Sequence, residues 1–312
     1  GLIGVYVLEP AEPLPPMTQE DLEFERFQIK AVSAIEEELD RILKTRKQSR
    51  IQTIADMVIR NYGHLDEKIN FYQNLRSLED YVSRHSLNVA ILCAMISHVM
   101  NIRREEQYHT VCAALLHDMG KLKKHEDVYF GAPYSREDAI RNCETQEEAY
   151  SVIEDAFATE GPAIRRICQQ AAGKQLDLFP EEGKESRYKM LEGSNVLLVA
   201  NRYDEITAMT LQGTAQSEVK AAQELLEHPE VYDPETVQAL LRSINILPPG
   251  ASVELSTGEK ALVLRENKEN VLCPTVVSFR DNSILDLALP QNEDIQIVDV
   301  MKTMDNRYIL KK

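Results

Sequence analysis

The feature that most constrains the fold is a short apolar run that ends in two ionisable residues. Ala113–Leu116 is entirely apolar, and His117 and Asp118 follow it directly, so we predict that this pair is buried. A buried charge needs a partner of opposite charge or a metal ion. The chain must therefore fold into a core that supplies one.

A histidine followed by an aspartate can bind one divalent cation if the chain bends behind them. We expect Gly120 to supply that bend, because glycine accepts dihedral angles that other residues resist. Lys121 would then bring its ammonium group toward an anion held by the cation. His85, on an earlier apolar helix, is the third candidate ligand. These ligand types suit Fe, Mn, Zn or Mg, although a buried histidine is more often a hydrogen-bonded core residue.

Two segments together resemble the HD superfamily of metal-dependent phosphohydrolases: His85 with Val89–Ala90, and Leu115–Lys121. Within this superfamily the sequence is most similar to the HD-GYP branch, whose members hydrolyse cyclic di-GMP. Val199–Thr207 resembles the late helix of that branch, and Leu247–Glu259 resembles the segment after its helical domain. The resemblance covers roughly residues 79 to 300.

The resemblance implies a metal site formed by His85, His117 and Asp118, with Asp118 and Lys121 as the catalytic residues. A later aspartate of the family falls on Asn201, whose amide oxygen carries no charge and binds a hard cation less strongly than a carboxylate does. We therefore expect at most one divalent metal ion, weakly bound or absent.

The additional histidines that the HD-GYP branch uses for further metal ions are missing. The family pattern places them at about Thr145, Gln169 and Gln170, and no histidine occurs between His125 and His228. Two-metal phosphodiester hydrolysis needs enough ligands to hold two cations a few ångströms apart. Hydrolysis of cyclic di-GMP by that mechanism is not expected here.

Three functions remain open. The favoured one is a degenerate HD-GYP-like signalling module that binds a nucleotide, a cyclic dinucleotide or a partner protein. The alternative is an active one-metal phosphohydrolase, in which the cation activates a water and Lys121 stabilises charge on the phosphoryl group. The third is a structural signalling domain without a ligand. Asp204 could orient a neighbouring side chain, but pairing within its own helix is the commoner role for such a residue.

Composition narrows the partners and the compartment. The net charge of −16 makes the chain a poor general binder of nucleic acid or of an anionic membrane. The five cysteines fit no zinc or disulfide framework, which favours a reducing cytoplasm. Gly1–Leu8 looks like the end of an element, so we expect a leader segment before it.

Hydrophobic periodicity predicts a mainly α-helical protein, an HD-type bundle with a long N-terminal helix and a small antiparallel β subdomain. The first helix should run from about Thr18 to Lys44. Its apolar stripe could pack on its own domain or form a two-helix seam, within the chain or in a homodimer. The expected domains are an N-terminal linker and helical segment, the HD-type domain and the β subdomain, at 1–77, 78–246 and 247–312.

Two further expectations concern residues 124–146 and the part of the chain from about Pro248 onward. Residues 124–146 show no clear periodicity, so the next helix is expected only at Ala149–Phe157. From about Pro248 the periodicity changes from helical to alternating, and four or five strands are predicted.

Overall fold

The structure, a computed structural model, describes residues 19–71, 73, 76–123, 135–179, 189–210 and 215–301. The predicted N-cap Thr18 and the leader-like start of the chain lie outside these residues. The described part is mainly α-helical with one small antiparallel sheet near the C-terminus, which confirms the predicted fold class. None of the helices in this part is long and apolar enough to cross a membrane.

The chain divides into two compact units, one of which is Phe27–Ile246 and contains the candidate site. The other contains the residues from Leu247 onward, which form the sheet. The three domain ranges given above stay a prediction. The described helices are α1 (Gln19–Thr45), α2 (Ile51–Tyr62), α3 (Tyr81–Val99), α4 (Arg104–Leu116), α5 (Arg136–Phe157), α6 (Gly161–Gln175), α7 (Glu192–Thr207), α8 (Glu218–Glu227) and α9 (Pro234–Ser243).

Helix α3 lies at the centre of the helical unit. From Leu87 to Ile96 it is apolar on every side except at Asn88, and all of these residues are buried. A helix that is apolar all round has to be enclosed by other elements, and α3 packs against α2, α4, α7 and α9. His85 therefore sits on a helix that is enclosed by other elements on nearly every side.

The apolar stripe of α1 is covered within the chain itself. Ala31, Ile35, Leu39 and Ile42 are all buried. Glu38, on the same helix, accepts hydrogen bonds from the backbone N–H groups of Ser49 and Arg50, just before α2. The bond from Arg50 is 2.8 Å long. The stripe that suggested a homodimer is thus already packed, and the homodimer itself stays a prediction.

Helix α5 begins at Arg136, well before the Ala149 expected from periodicity. Ser135 and Asp138 form a capping box, in which each side chain binds the backbone N–H of the other residue. This pairing satisfies two N–H groups that a helix start leaves without a partner. The Ser-x-x-Asp spacing was the available sequence signal, but the charged and polar residues that follow it obscured the helical period.

Among the described residues between 48 and 76, one helix forms, α2. After α2 ends at Tyr62, the described residues up to Asp80 are non-helical. Two isolated bridges tie this segment to later parts of the chain, Ile69 to Ile244 and Arg76 to Thr210. The second of these fixes the backbone of Arg76 beside the end of α7.

The C-terminal sheet has five antiparallel strands in the order β4-β3-β2-β1-β5. Its buried face carries Val253, Ala261, Val263 and Val276, as the alternation of apolar residues predicts. Leu285, Leu287 and Leu289 also alternate with other residues, but only Leu285 of the three lies in a strand. The strands are β1 (Ser252–Leu255), β2 (Lys260–Arg265), β3 (Thr275–Ser278), β4 (Ile284–Asp286) and β5 (Ile297–Val300).

Candidate metal centre

Side chains from three helices converge on one point in the helical unit. His85 comes from α3, His117 and Asp118 from the end of α4, and Asn201 from the middle of α7. The two histidine Nε2 atoms lie 3.1 Å apart, and Asn201 Oδ1 lies 2.9 Å from each. Asp118 Oδ2 lies 3.4 Å from His85 Nε2, and Asp118 Oδ1 lies 3.8 Å from His117 Nε2. The four residues predicted from sequence to be metal ligands are therefore neighbours in space.

The turn after α4 brings the His–Asp pair into the core. The helix ends at Leu116, and a 3₁₀ segment, Met119–Lys123, continues in a new direction. Gly120 is needed there for close approach: a Cβ atom would lie 2.4 Å from the carbonyl oxygen of Thr145 on α5. Its expected role in supplying an unusual dihedral angle is not what the structure shows, because its φ is not positive.

The orientation of His85 is fixed from behind by a buried ion pair. Its Nδ1 lies 2.6 Å from Asp204 Oδ2, and Arg76 donates to both oxygens of Asp204 at 2.7 Å. Burial alone would raise the pKa of Asp204, but Arg76 and the bond to His85 outweigh it and hold this pKa well below the usual aspartate value. An ionised Asp204 accepts a hydrogen bond from Nδ1–H of His85, and in the neutral ring this bond leaves the Nε2 lone pair facing the site.

This finding corrects the commoner role expected for Asp204. The carboxylate does not pair within its own helix. It accepts hydrogen bonds from Asn88 on α3 and from Gln73 in the segment before α3, at 3.0 and 2.8 Å. Asp204 and Arg76 are both essentially inaccessible to solvent. The Arg76–Asp204 pair therefore holds His85 in place, although neither residue of the pair is itself a candidate ligand.

His117 has the same tautomer for a different reason. Its Nδ1 donates to the carbonyl oxygen of Ala114 at 2.8 Å, one turn back in α4. Burial lowers the pKa of His117, and the nearby Asp118 carboxylate only partly opposes that effect. The ring is therefore neutral near pH 7, with its Nε2 lone pair directed at His85 and Asn201.

The amide of Asn201 is oriented by Glu205, one turn further along α7. Asn201 Nδ2 donates to Glu205 Oε1 at 3.1 Å. This bond assigns the oxygen of the amide, and not its nitrogen, to the side that faces the histidines. Glu205 is itself held by Gln175 at 3.0 Å and by Arg202 at 3.3 Å.

The donor set fits a divalent cation. When both rings are neutral and held by these outer partners, three acceptor atoms, His85 Nε2, His117 Nε2 and Asn201 Oδ1, meet at about hydrogen-bond distance. Two ligand atoms bound at about 2.1 Å to one metal ion lie about 2.9–3.4 Å apart, close to the separations seen here. His85, His117 and Asp118 are also the group of titratable side chains in the described residues whose ligand atoms lie within 4.8 Å of one another.

Asp118 is bound on both oxygens by groups from outside the donor set. Lys121 Nζ donates to Oδ2 at 2.6 Å, and Gln146 Nε2 donates to Oδ1 at 3.2 Å. Burial would raise the pKa of Asp118, but Lys121 and the two histidines hold it well below the usual value. Lys121, predicted to meet an anion, thus meets the carboxylate of a candidate ligand in this structure.

The positions at which extra histidines were expected do not contribute ligands. Thr145 donates to the carbonyl oxygen of Arg141 in its own helix. Gln170 accepts from the backbone of Leu191 and from Ser194 at the start of α7. On α5 it is Gln146 that bonds to a candidate ligand, because its side chain donates to Asp118. A search for histidine ligands could not have identified a glutamine in this role.

A narrow cavity of about 30 Å³ opens beside His117, Asp118 and Asn201. This is close to the volume of one water molecule in the liquid, so the described residues leave room there for about one water. Two cysteines also line it, but burial raises the pKa of Cys143 to about 11 and that of Cys168 further. Both remain thiols near neutral pH, and thiols are poor metal ligands.

The fold and the site define a helical domain whose metal-ligand candidates are a histidine, a His–Asp pair and a later amide. Residues 82–209 match the family model of the HD domain. An HD domain is thus found at residues 82–209, which suggests the metal-dependent phosphohydrolase superfamily, and all four candidate ligands fall within the matched range. The match does not distinguish the branches of that superfamily. Comparison with curated proteins found no match, and neither did comparison with solved structures.

Proposed function

We propose that this HD domain is a degenerate, HD-GYP-like centre for a single divalent cation that binds a phosphate-bearing ligand, such as a nucleotide, as part of a signalling protein. The observation that supports it is the meeting of three potential ligand atoms, two imidazole nitrogens and an amide oxygen, with the carboxylate of Asp118. Such a cluster is unfavourable without a cation, and outer partners hold each of the two histidines in the binding tautomer.

Hydrolysis of cyclic di-GMP by a multi-metal mechanism is not part of this proposal. A second cation would need further ligands, and the two oxygens of Asp118 are already bound by Lys121 and Gln146. Within the described residues no other cluster of histidine, cysteine or carboxylate side chains with metal-binding geometry was found beside the site. The ammonium of Lys121 supplies the positive charge beside Asp118 that a second cation would otherwise supply.

A bound anion would meet the cation and Lys121 together. Lys121 is almost fully buried, at 3 % exposure, and lies next to the cavity. A phosphate oxygen at the cation could accept from Nζ if the ammonium turns from Asp118 toward the cavity. Charge-assisted hydrogen bonds of this kind are about twice as strong as neutral ones.

The second candidate is a one-metal phosphohydrolase, and the intact outer partners of both histidines favour it. A divalent cation there would activate water and polarise a phosphoryl oxygen. This chain's contribution would be the Lys121 ammonium, which stabilises charge that develops on the phosphoryl group.

Ligand binding and turnover separate the two functions. Protein purified without chelator is titrated calorimetrically with cyclic di-GMP and with a nucleoside monophosphate, and both mixtures are then analysed by chromatography for products. The proposal predicts binding of at least one of them that EDTA abolishes, without turnover. Metal-dependent product formation would replace it with the hydrolase function.

A substitution of Lys121 gives the matched test of the anion site. Lys121→Met should weaken ligand binding at least tenfold while the metal content stays the same, and Lys260→Met, at an exposed position of β2, should change neither. Unchanged binding in Lys121→Met would contradict the assigned role of the ammonium.

A further inference from the structure

The pairing of Asn201 with Glu205 explains how a neutral residue can stand at the fourth ligand position. The two side chains lie one turn apart on α7, and both are buried, at 8 % and 5 % exposure. The amide of Asn201 donates to Glu205 Oε1, while its oxygen faces the two histidines. Glu205 is therefore the group that decides which end of the amide enters the site.

The buried carboxylates around the site differ in how their negative charges are balanced by neighbouring cations. Asp118 is balanced by Lys121, and Asp204 is balanced by Arg76. Arg202, in contrast, is shared between Glu205 and Glu224, at 3.3 and 2.7 Å. Among the described residues, two carboxylates thus share this one guanidinium, and Glu205 is the more buried of the two.

We propose that Asn201 and Glu205 act as one unit, in which Glu205 orients the amide oxygen as a metal ligand and supplies, one turn away, the negative charge that the amide lacks. The inference rests on the single-cation site proposed above. In this reading Glu205 is a positioning residue, since it reaches the cation only through Asn201.

The unit has a consequence that a purely structural role for Glu205 would not have. An aspartate at 201 would place a carboxylate oxygen where Nδ2 now donates, 3.1 Å from Glu205 Oε1. Two carboxylates at this distance cannot both be ionised without a large cost. Restoring a charged ligand at 201 should therefore help the site only if the charge at 205 is removed as well.

The test is a double-mutant cycle of Asn201→Asp and Glu205→Gln, read as the affinity for Zn²⁺ alone in competition with a chromophoric chelator. In the wild-type background Glu205→Gln should weaken Zn²⁺ binding about tenfold, the lower end of the effect seen for partners of metal ligands. In the Asn201→Asp background the same change should cause no loss, or a gain. Glu192→Gln, an exposed carboxylate on the same helix, should have no effect in either background.

A second readout keeps this inference distinct from the single-cation proposal. The melting temperature of EDTA-treated protein should fall by several degrees in Asn201→Asp and should recover when Glu205→Gln is added. If wild-type protein binds no Zn²⁺, the proposed function fails while the melting cycle still reports on the pair. Equal effects of Glu205→Gln in both backgrounds, in affinity or in melting, would overturn the pairing and leave the cation site standing.

Discussion

Replacing Asp204 by Asn tests whether a buried ion pair holds the metal centre together. The substitution keeps the shape of the side chain but removes the charge that balances Arg76, whose guanidinium is 1 % exposed. The remaining partners of Arg76 are neutral: Gln73 Oε1 at 2.6 Å and the face of the Tyr81 ring at 5.3 Å. Loss of one partner from a buried pair costs about 3–5 kcal/mol. Since the asparagine oxygen still accepts hydrogen bonds, we expect the free energy of unfolding to fall by about 3 kcal/mol, the lower end of that range.

The assay is urea unfolding of EDTA-treated protein, with Asp155→Asn as the matched control. Asp155 pairs with Arg46 at 2.6 Å, but both side chains are half exposed, so its loss should cost at most about 1 kcal/mol. Asp204→Asn should also weaken metal binding by about 10- to 100-fold, because His85 loses the partner that fixes its tautomer. A cost for Asp204→Asn no greater than that of the control would refute the reasoning.

Three further outcomes are expected. Gly120→Ala should destabilise the fold by about 1–3 kcal/mol in urea unfolding, because the new methyl group meets the carbonyl oxygen of Thr145; a neutral result would show that the turn can move away from α5. The stability that Asp204 contributes should be fully present above about pH 4, its pKa when unfolded, and should be lost as pH falls toward its lower folded value; the gap in unfolding free energy between wild type and Asp204→Asn should therefore narrow in acid, and a constant gap would contradict the shift. Ser135→Ala should cost about 0.5–2 kcal/mol and speed amide exchange in the first turn of α5, because it removes the capping box with Asp138; unchanged exchange would show that packing alone holds that turn.

Sequence reasoning found the candidate ligands because their signal is local. His117 and Asp118 are adjacent, and the apolar residues before them predict burial. The long first helix, expected from about Thr18 to Lys44 because of its apolar stripe, runs from Gln19 to Thr45. These features depend on neighbours in the sequence, which a single chain displays directly.

The parts that were missed depend on contacts between distant segments. Arg76 meets Asp204 across 128 positions, and Gln146 meets Asp118 across 28. A buried arginine in a non-helical segment has no periodic signature, so nothing near Arg76 in the sequence shows its partner. The bond between Asn201 and Glu205, four positions apart on one helix, could in contrast have been predicted from spacing.

X-ray absorption on Zn²⁺-loaded protein, with the metal content of the same sample, tests the central claim most directly. We predict about one metal ion per chain, bound by imidazole nitrogen and by oxygen, with the imidazole contribution reduced in His117→Ala and with no metal–metal scattering. Two ions per chain with a metal–metal distance of about 3.5–4 Å would contradict the single-cation account.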